Sequence, residues 1–167
     1  MKQTKILHVV RHAKSSWDFE GTADIDRTLK ERGIRNAYEV ARKMKLGNLI
    51  PGKIISSPAN RALHTAVIFA RVFEYPLSKL EINQTLYESS AGTITDMLKA
   101  LDDSYTSVMI LGHNPDFTDL ANSFLKNRID NLPTSGAASF EFNVAHWKDI
   151  SRNTLVKEVT IFPSKDE

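Results

Sequence analysis

Short apolar runs alternate with longer stretches of helical periodicity along this chain, and a polar or basic group stands where each run stops. The first run, residues 6–10, is continuous and partly β-branched, which predicts a buried strand. Residues 15–27 lose all periodicity and contain Gly21 and three aspartates, which predicts a surface loop. From 28 to 45 the residues Leu29, Ile34, Ala37, Val40, Ala41 and Met44 recur at helical spacing, with Gly47 just past the end. A second short strand follows over 53–56. Ser57 is then placed as an N-cap with Pro58 at the first helical position, opening a helix that runs to about residue 73. The pattern continues with a short strand over 80–83, a helix over 94–101 and a buried strand over 107–111. Asn114 caps a further helix from Pro115 to about residue 125.

The pattern changes after Pro133-Thr134-Ser135-Gly136. Residues 138–144 alternate, with Phe140 and Phe142 on one face and Ser139, Glu141 and Asn143 on the other. Residues 155–162 read as a last strand and 164–167 as a frayed tail. Strands that alternate with helices predict a three-layer α/β/α arrangement around a mostly parallel central sheet. The last two strands have no helix between them and are expected to pair antiparallel. No repeat or linker divides the chain, so residues 1–167 are expected to form a single domain.

Composition narrows the function classes. With 167 residues, 41% hydrophobic and 25% charged, the chain can bury an ordinary globular core. A formal net charge of +2 gives no reason to expect nucleic acid or an anionic membrane as partner. The absence of cysteine excludes disulfides, thiolate catalysis and cysteine-based zinc sites. The basic start, Met1 to Lys5, precedes an apolar stretch too short for a signal peptide or a membrane span, and a cytoplasmic location is the expectation.

Basic residues are therefore more informative by position than by number. Arg11-His12 ends the first strand, Ser56-Ser57-Pro58 with Arg61 follows the second, and Gly112-His113-Asn114-Pro115 ends the 107–111 strand. In open α/β sheets ligands bind beyond the carboxyl ends of strands, where all three segments lie. His12 is the candidate nucleophile, because a neutral imidazole can attack phosphorus and divide one displacement into two. Nearby arginines would favour its neutral form, and a backbone carbonyl on the other ring nitrogen would fix its tautomer. Arg11 and Arg61 present planar, permanently charged donors that match phosphoryl oxygens. His113 would donate to a phosphoryl oxygen as charge develops. Glu88 is the candidate general acid for a leaving group, and Ser15 a further donor to phosphate. Each has a plainer role when taken alone: a histidine ending a strand, a solvated helix arginine, a loop histidine, a surface glutamate, a serine shaping its loop. Trp17 and Tyr87 are read as packing residues near a substrate rim. His8, His64 and His146 receive no role in the chemistry.

Taken in order, these segments resemble the histidine phosphatase superfamily, with its phosphoglycerate-mutase-like fold, and within it the small SixA-like phosphohistidine phosphatases. The residues that carry the resemblance are Arg11-His12-Ala13-Lys14-Ser15-Ser16-Trp17, Asp26-Arg27-Thr28-Leu29 with Glu31-Arg32-Gly33, Ser56-Ser57-Pro58 with Arg61, Ala62 and Thr65, Leu86-Tyr87-Glu88, and Gly112-His113-Asn114-Pro115. Ala13 stands where many relatives have glycine, and Thr28 where proline is frequent. The resemblance implies phosphoryl transfer through His12, with Arg11, Arg61 and His113 completing the phosphate pocket, and neither metal nor organic cofactor.

The expected function is hydrolysis of a phosphoryl group through a phosphohistidine intermediate, by a monomer acting on a phosphorylated protein that carries phosphohistidine. Retention of Glu88 leaves a small phosphate ester open as substrate, since an ester leaving group needs a proton more than imidazole does. A phosphate-binding module without turnover is the alternative of a different class.

Overall fold

The N-terminal apolar run lies inside a six-stranded sheet, and its neighbours are set by register. In the computed structural model, which describes residues 3–18 and 20–165, β1 (Lys5–Arg11) pairs in parallel with β4 (Ser107–Gly112) and antiparallel with β5 (Ala137–Phe142). β2 (Lys53–Ser56) and the two-residue β3 (Glu81–Ile82) extend the β4 side in parallel. β6 (Leu155–Ile161) lies antiparallel on β5, giving the order β3-β2-β4-β1-β5-β6.

The continuous apolar strands are buried on both faces because helices cover both. α1 (Glu31–Leu46) and α2 (Asn60–Phe73) pack together over one face, where Val10, Val40, Met44, Ile54, Phe69 and Met109 meet. α3 (Ala91–Lys99) and α4 (Asp116–Phe124) cover the other, with Leu7, Val9, Ile110, Phe117, Phe140 and Phe142. Each such side chain contributes about 1.5–3 kcal/mol on burial, so two full faces supply the drive that fixes the strand ends. The architecture is the expected three-layer α/β/α fold with a mostly parallel sheet.

Several boundaries differ from the pattern, each for a physical reason. The helix expected from residue 28 begins at Glu31, because residues 28–30 are extended and pair with the loop after β1. The Ser16 amide donates to Thr28 O at 2.7 Å, the Lys30 amide donates to Lys14 O at 2.9 Å, and Ser15 bridges Leu29. α2 begins at Asn60 rather than Pro58, with Ala59 rather than Ser57 at the cap. α3 starts at Ala91, capped by the Ser90 side chain accepting from the Thr93 amide. α4 starts at Asp116, although Asn114 Oδ1 does receive the Thr118 amide at 3.1 Å. Where fraying was expected, Ser164 is tied down: its amide and hydroxyl donate to the Glu39 carboxylate on α1 at 2.8 and 2.7 Å. The rest of that expectation, residues 166–167, lies outside the described residues, as does Phe19 within the 15–27 loop.

His8 points into the sheet's interior, with Nδ1 2.7 Å from Ser139 Oγ and Nε2 3.2 Å from Ser107 Oγ. His146 is exposed. Among the described residues, no helix is long and apolar enough to cross a membrane.

Candidate active site

Strand register brings the two key histidines side by side. Arg11 is aligned with Gly112 across β1 and β4, and the His12 amide donates to Gly112 O at 3.0 Å, one step beyond the last strand pair. His12 and His113 thus leave neighbouring strand ends together, with ring centroids 5.1 Å apart. On the far side of β4, the Ser57 amide donates to Leu111 O at 3.0 Å, placing Ser57 next to His113. The second residue of α2 is Arg61, so the guanidinium starts from the first turn of a helix opening at this same rim. Behind Arg11 and His12, Ser135 adopts a left-handed φ of 63° and its amide donates to both their carbonyls at 3.1 Å. A left-handed serine is uncommon. Here it lets one N–H serve two acceptors and close the back of the pocket.

Both rings are neutral, each with an assignable tautomer. His12 Nδ1 lies 2.7 Å from Ala13 O. A carbonyl only accepts, so Nδ1 carries the proton and Nε2 keeps its lone pair. Burial pushes the His12 pKa down to about 3, against the pull of the Ala13 carbonyl and helped by the neighbouring His113, Arg61 and Arg11. The arginines were expected to keep this ring neutral; desolvation is the larger cause. For His113, burial followed by the Arg61 charge lowers the pKa to about 4. His113 Nε2 is 2.8 Å from Ser57 Oγ, which already accepts the Ala59 amide at 3.2 Å. The buried Ser57 hydroxyl proton has no other acceptor among the described residues, so donation to His113 Nε2 satisfies it and puts the ring proton on Nδ1.

Both guanidiniums are gripped at their far ends. Arg11 Nη1 donates to Leu132 O at 3.0 Å. Arg61 donates through Nη1 to Asp24 O at 2.7 Å and through Nη2 to Asp24 Oδ2 at 3.0 Å. What remains is a set of buried donors without a partner among the described residues: Arg11 Nε, Arg61 Nε and His113 Nδ1. A buried polar atom without a partner costs about 1–3 kcal/mol, so three of them on the converging side chains are donors open to an acceptor.

The expected residues do not all gather there. Arg11, His12, Arg61 and His113 come together, close enough that both guanidiniums depress both imidazole pKa values. Ser15 is engaged elsewhere, its hydroxyl accepting from Arg27 Nη1 at 2.9 Å. Glu88 is exposed and makes no hydrogen bond or ion pair among the described residues. Its neighbour Tyr87, expected only to pack, stands edge-on to His113 with centroids 5.5 Å apart and donates to Asp24 Oδ2 at 2.7 Å. Pattern reading missed Asp24, which also accepts from Arg27 Nε at 3.2 Å. Its only sequence signal is an aspartate three residues before an arginine, which is common on surfaces. Trp17 is exposed, its ring face 3.5 Å from the Arg27 guanidinium carbon.

Among the described residues no group of three or more His, Cys, Asp or Glu side chains is placed to hold a metal ion. Comparison with known proteins then fixes the family. A family model described as the histidine phosphatase superfamily, branch 1, matches residues 7–118, a span that holds all four converging side chains. The chain belongs to that superfamily. It is 29% identical over 151 residues to the uncharacterized protein Rv1276c of Mycobacterium tuberculosis, covering 84% of this chain and 91% of that one. Among solved structures, the "putative phosphohistidine phosphatase SixA" of Agrobacterium tumefaciens superposes with a TM-score of 0.76 at 26% identity, over 83% of this chain and 92% of that one. A protein histidine phosphatase SixA complexed with tungstate also superposes with a TM-score of 0.76, at 20% identity, over 95% of this chain and 97% of that chain. These matches establish a phosphoglycerate-mutase-like histidine phosphatase fold.

Proposed function

We propose that this member of the superfamily is a phosphatase that works through a phosphohistidine on His12, with protein-borne phosphohistidine as favoured substrate. One observation carries the reading. The Ala13 carbonyl holds the His12 proton on Nδ1, which leaves the Nε2 lone pair free beside three unpaired buried donors.

The chemistry follows in two steps. Nε2 attacks phosphorus and forms a P–N bond as the bond to the leaving group breaks. Arg11 and Arg61 take the phosphoryl oxygens, and His113 Nδ1 donates to the oxygen on which charge grows. Water then attacks the phosphorus of phospho-His12, inorganic phosphate departs, and Nε2 regains its lone pair. Donors held in place before the reaction need no reorganisation during it, which is the source of the rate gain.

Two observations favour phosphohistidine. One is the likeness to the Agrobacterium protein; the other is the position of Glu88, exposed and without a hydrogen bond or ion pair among the described residues. An imidazole leaves phosphorus with less help from a proton donor than an alkoxide does. A second reading, a small phosphate ester as substrate, draws on Glu88 following Tyr87, whose ring packs on His113.

The test is a His12→Ala variant assayed on a phosphohistidine protein and on an aryl phosphate, with acid-quench trapping of the wild-type phosphoenzyme. Turnover is expected to fall at least about a thousandfold on both, and label is expected on His12. Substantial turnover by the variant rejects the mechanism. Loss of ester turnover alone in Glu88→Gln favours the second reading.

A further inference from the structure

Resting on Arg61 as a phosphate ligand, we propose that Asp24 is the positioning residue that aims Arg61. An arginine side chain has four rotatable bonds, and its use at a phosphate depends on which edge of the planar fork faces the anion. Two donors of this guanidinium, Nη1 and Nη2, are bound by one residue through its carbonyl and its carboxylate, at 2.7 and 3.0 Å. Two contacts to a single partner fix both the position and the plane of the group. They take the far end and leave the buried Nε edge without a partner.

Asp24 is itself fixed from three directions. Tyr87 donates to Oδ2 at 2.7 Å, Arg27 donates to Oδ1 at 3.2 Å, and the residue opens the 3-10 turn Asp24–Asp26 within the loop after β1. Burial raises the Asp24 pKa, but the hydrogen bonds from Tyr87 and Arg61 outweigh it and hold the carboxylate below its usual range. The bridge joins three segments far apart in the chain: the 13–30 loop, the start of α2 and the turn before Glu88. Arg11 has a single such contact, from Nη1 to the carbonyl of Leu132, in place of the two that Asp24 gives Arg61.

The opposite role is a carboxylate that competes with phosphate for Arg61, and the two make predictions of opposite sign. Removing a competitor's charge tightens anion binding. Removing an aiming group loosens it, although the pocket becomes more positive. The experiment is vanadate binding, measured by calorimetry on the wild type, Asp24→Asn, Arg61→Ala and the double variant, with a melting curve for each. Asp24→Asn is expected to weaken binding about tenfold, and to add nothing in the Arg61→Ala background, since a residue acting through another loses its effect when that other is gone. Tyr87→Phe, which leaves the Asp24 charge in place, is expected to shift affinity the same way by about two- to threefold. Tighter or unchanged binding in Asp24→Asn overturns the proposal, as does an equal tenfold loss with Arg61 already removed. A wild type that binds no vanadate sinks the phosphate pocket itself, a result distinct from an additive cycle on a tight-binding protein.

Discussion

Ser57 and His113, from two parallel strands that lie side by side, share a 2.8 Å contact that decides which nitrogen of the imidazole faces the site. The Ser57 hydroxyl accepts the Ala59 amide and has no acceptor for its own proton other than His113 Nε2 among the described residues. The ring then offers Nδ1–H, the form needed to donate to a phosphoryl oxygen. Ser57→Ala is expected to free the tautomer and lower kcat about tenfold, a fraction of the ~10²–10³ that loss of an oxyanion donor costs. Imidazole nitrogen NMR checks the cause directly. The wild type should show His113 protonated on Nδ1, and the variant a mixture. An unchanged tautomer with an unchanged kcat would remove Ser57 from the site.

Gly33 and Lys14 make a second contact with functional weight. A Cβ at Gly33 would lie 2.8 Å from the Lys14 backbone nitrogen and closer still to its carbonyl oxygen. Those atoms cannot swing aside, because Lys14 O also accepts the Lys30 amide at 2.9 Å. One residue earlier, Ala13 holds both the His12 ring and, through its amide, Thr65 Oγ1 at 2.9 Å. Gly33→Ala is therefore expected to cost about 1–3 kcal/mol by overpacking and to reduce kcat more than tenfold, because the strain falls on the segment that orients His12. Urea unfolding and steady-state turnover of the variant separate the two effects.

Much of this arrangement is legible in the chain, and the rest fails for identifiable reasons. Continuous apolar runs announce β1 and β4, and the residues at their ends are the ones that meet. Leu29 misleads because it is apolar and in phase with Val40, three helical turns on, yet it is drawn into an extended bridge with Ser15. Ser57 before a proline has the local form of an N-cap. Its hydroxyl instead serves a histidine 56 positions away, information that no local pattern holds. Ala91-Gly92-Thr93 lacks apolar periodicity, which hides the first turn of α3. Asp24 is hidden more deeply, since its meaning depends on where Arg61 and Tyr87 arrive after folding. Glu88 shows the converse: it is read from its spacing as either a candidate acid or a surface glutamate, and the fold leaves its side chain exposed.

Stability should fall with acidity, beginning well above the carboxylate range. Burial depresses the pKa of His8, His12 and His113 to about 4, 3 and 4, against about 6.5 for an unfolded histidine. Below pH 6.5 the unfolded chain takes up protons that the native state refuses, so each residue removes about 1.4 kcal/mol per pH unit until its folded pKa is reached. Above pH 6.5 the contribution is fully present. His8 is remote from the site, so His8→Gln isolates one share: its unfolding free energy should decline less steeply between pH 6.5 and 4.5, by about one proton's worth of slope. Equal slopes in the two proteins would mean that His8 does not stay neutral in the fold.

The same burial predicts a different outcome for activity. His12 attacks only while Nε2 is unprotonated, and its folded pKa of about 3 keeps it so throughout the range in which stability is already declining. The single-turnover rate of phosphoenzyme formation on an aryl phosphate, corrected for the ionisation of the phosphate, should stay level from pH 7 to pH 5 for protein that remains folded. Its acid limb should lie near pH 3, where protonation removes the lone pair. An acid limb centred near pH 6.5 would instead describe a solvated imidazole, and would contradict the buried ring held by Ala13 on which the proposed attack depends.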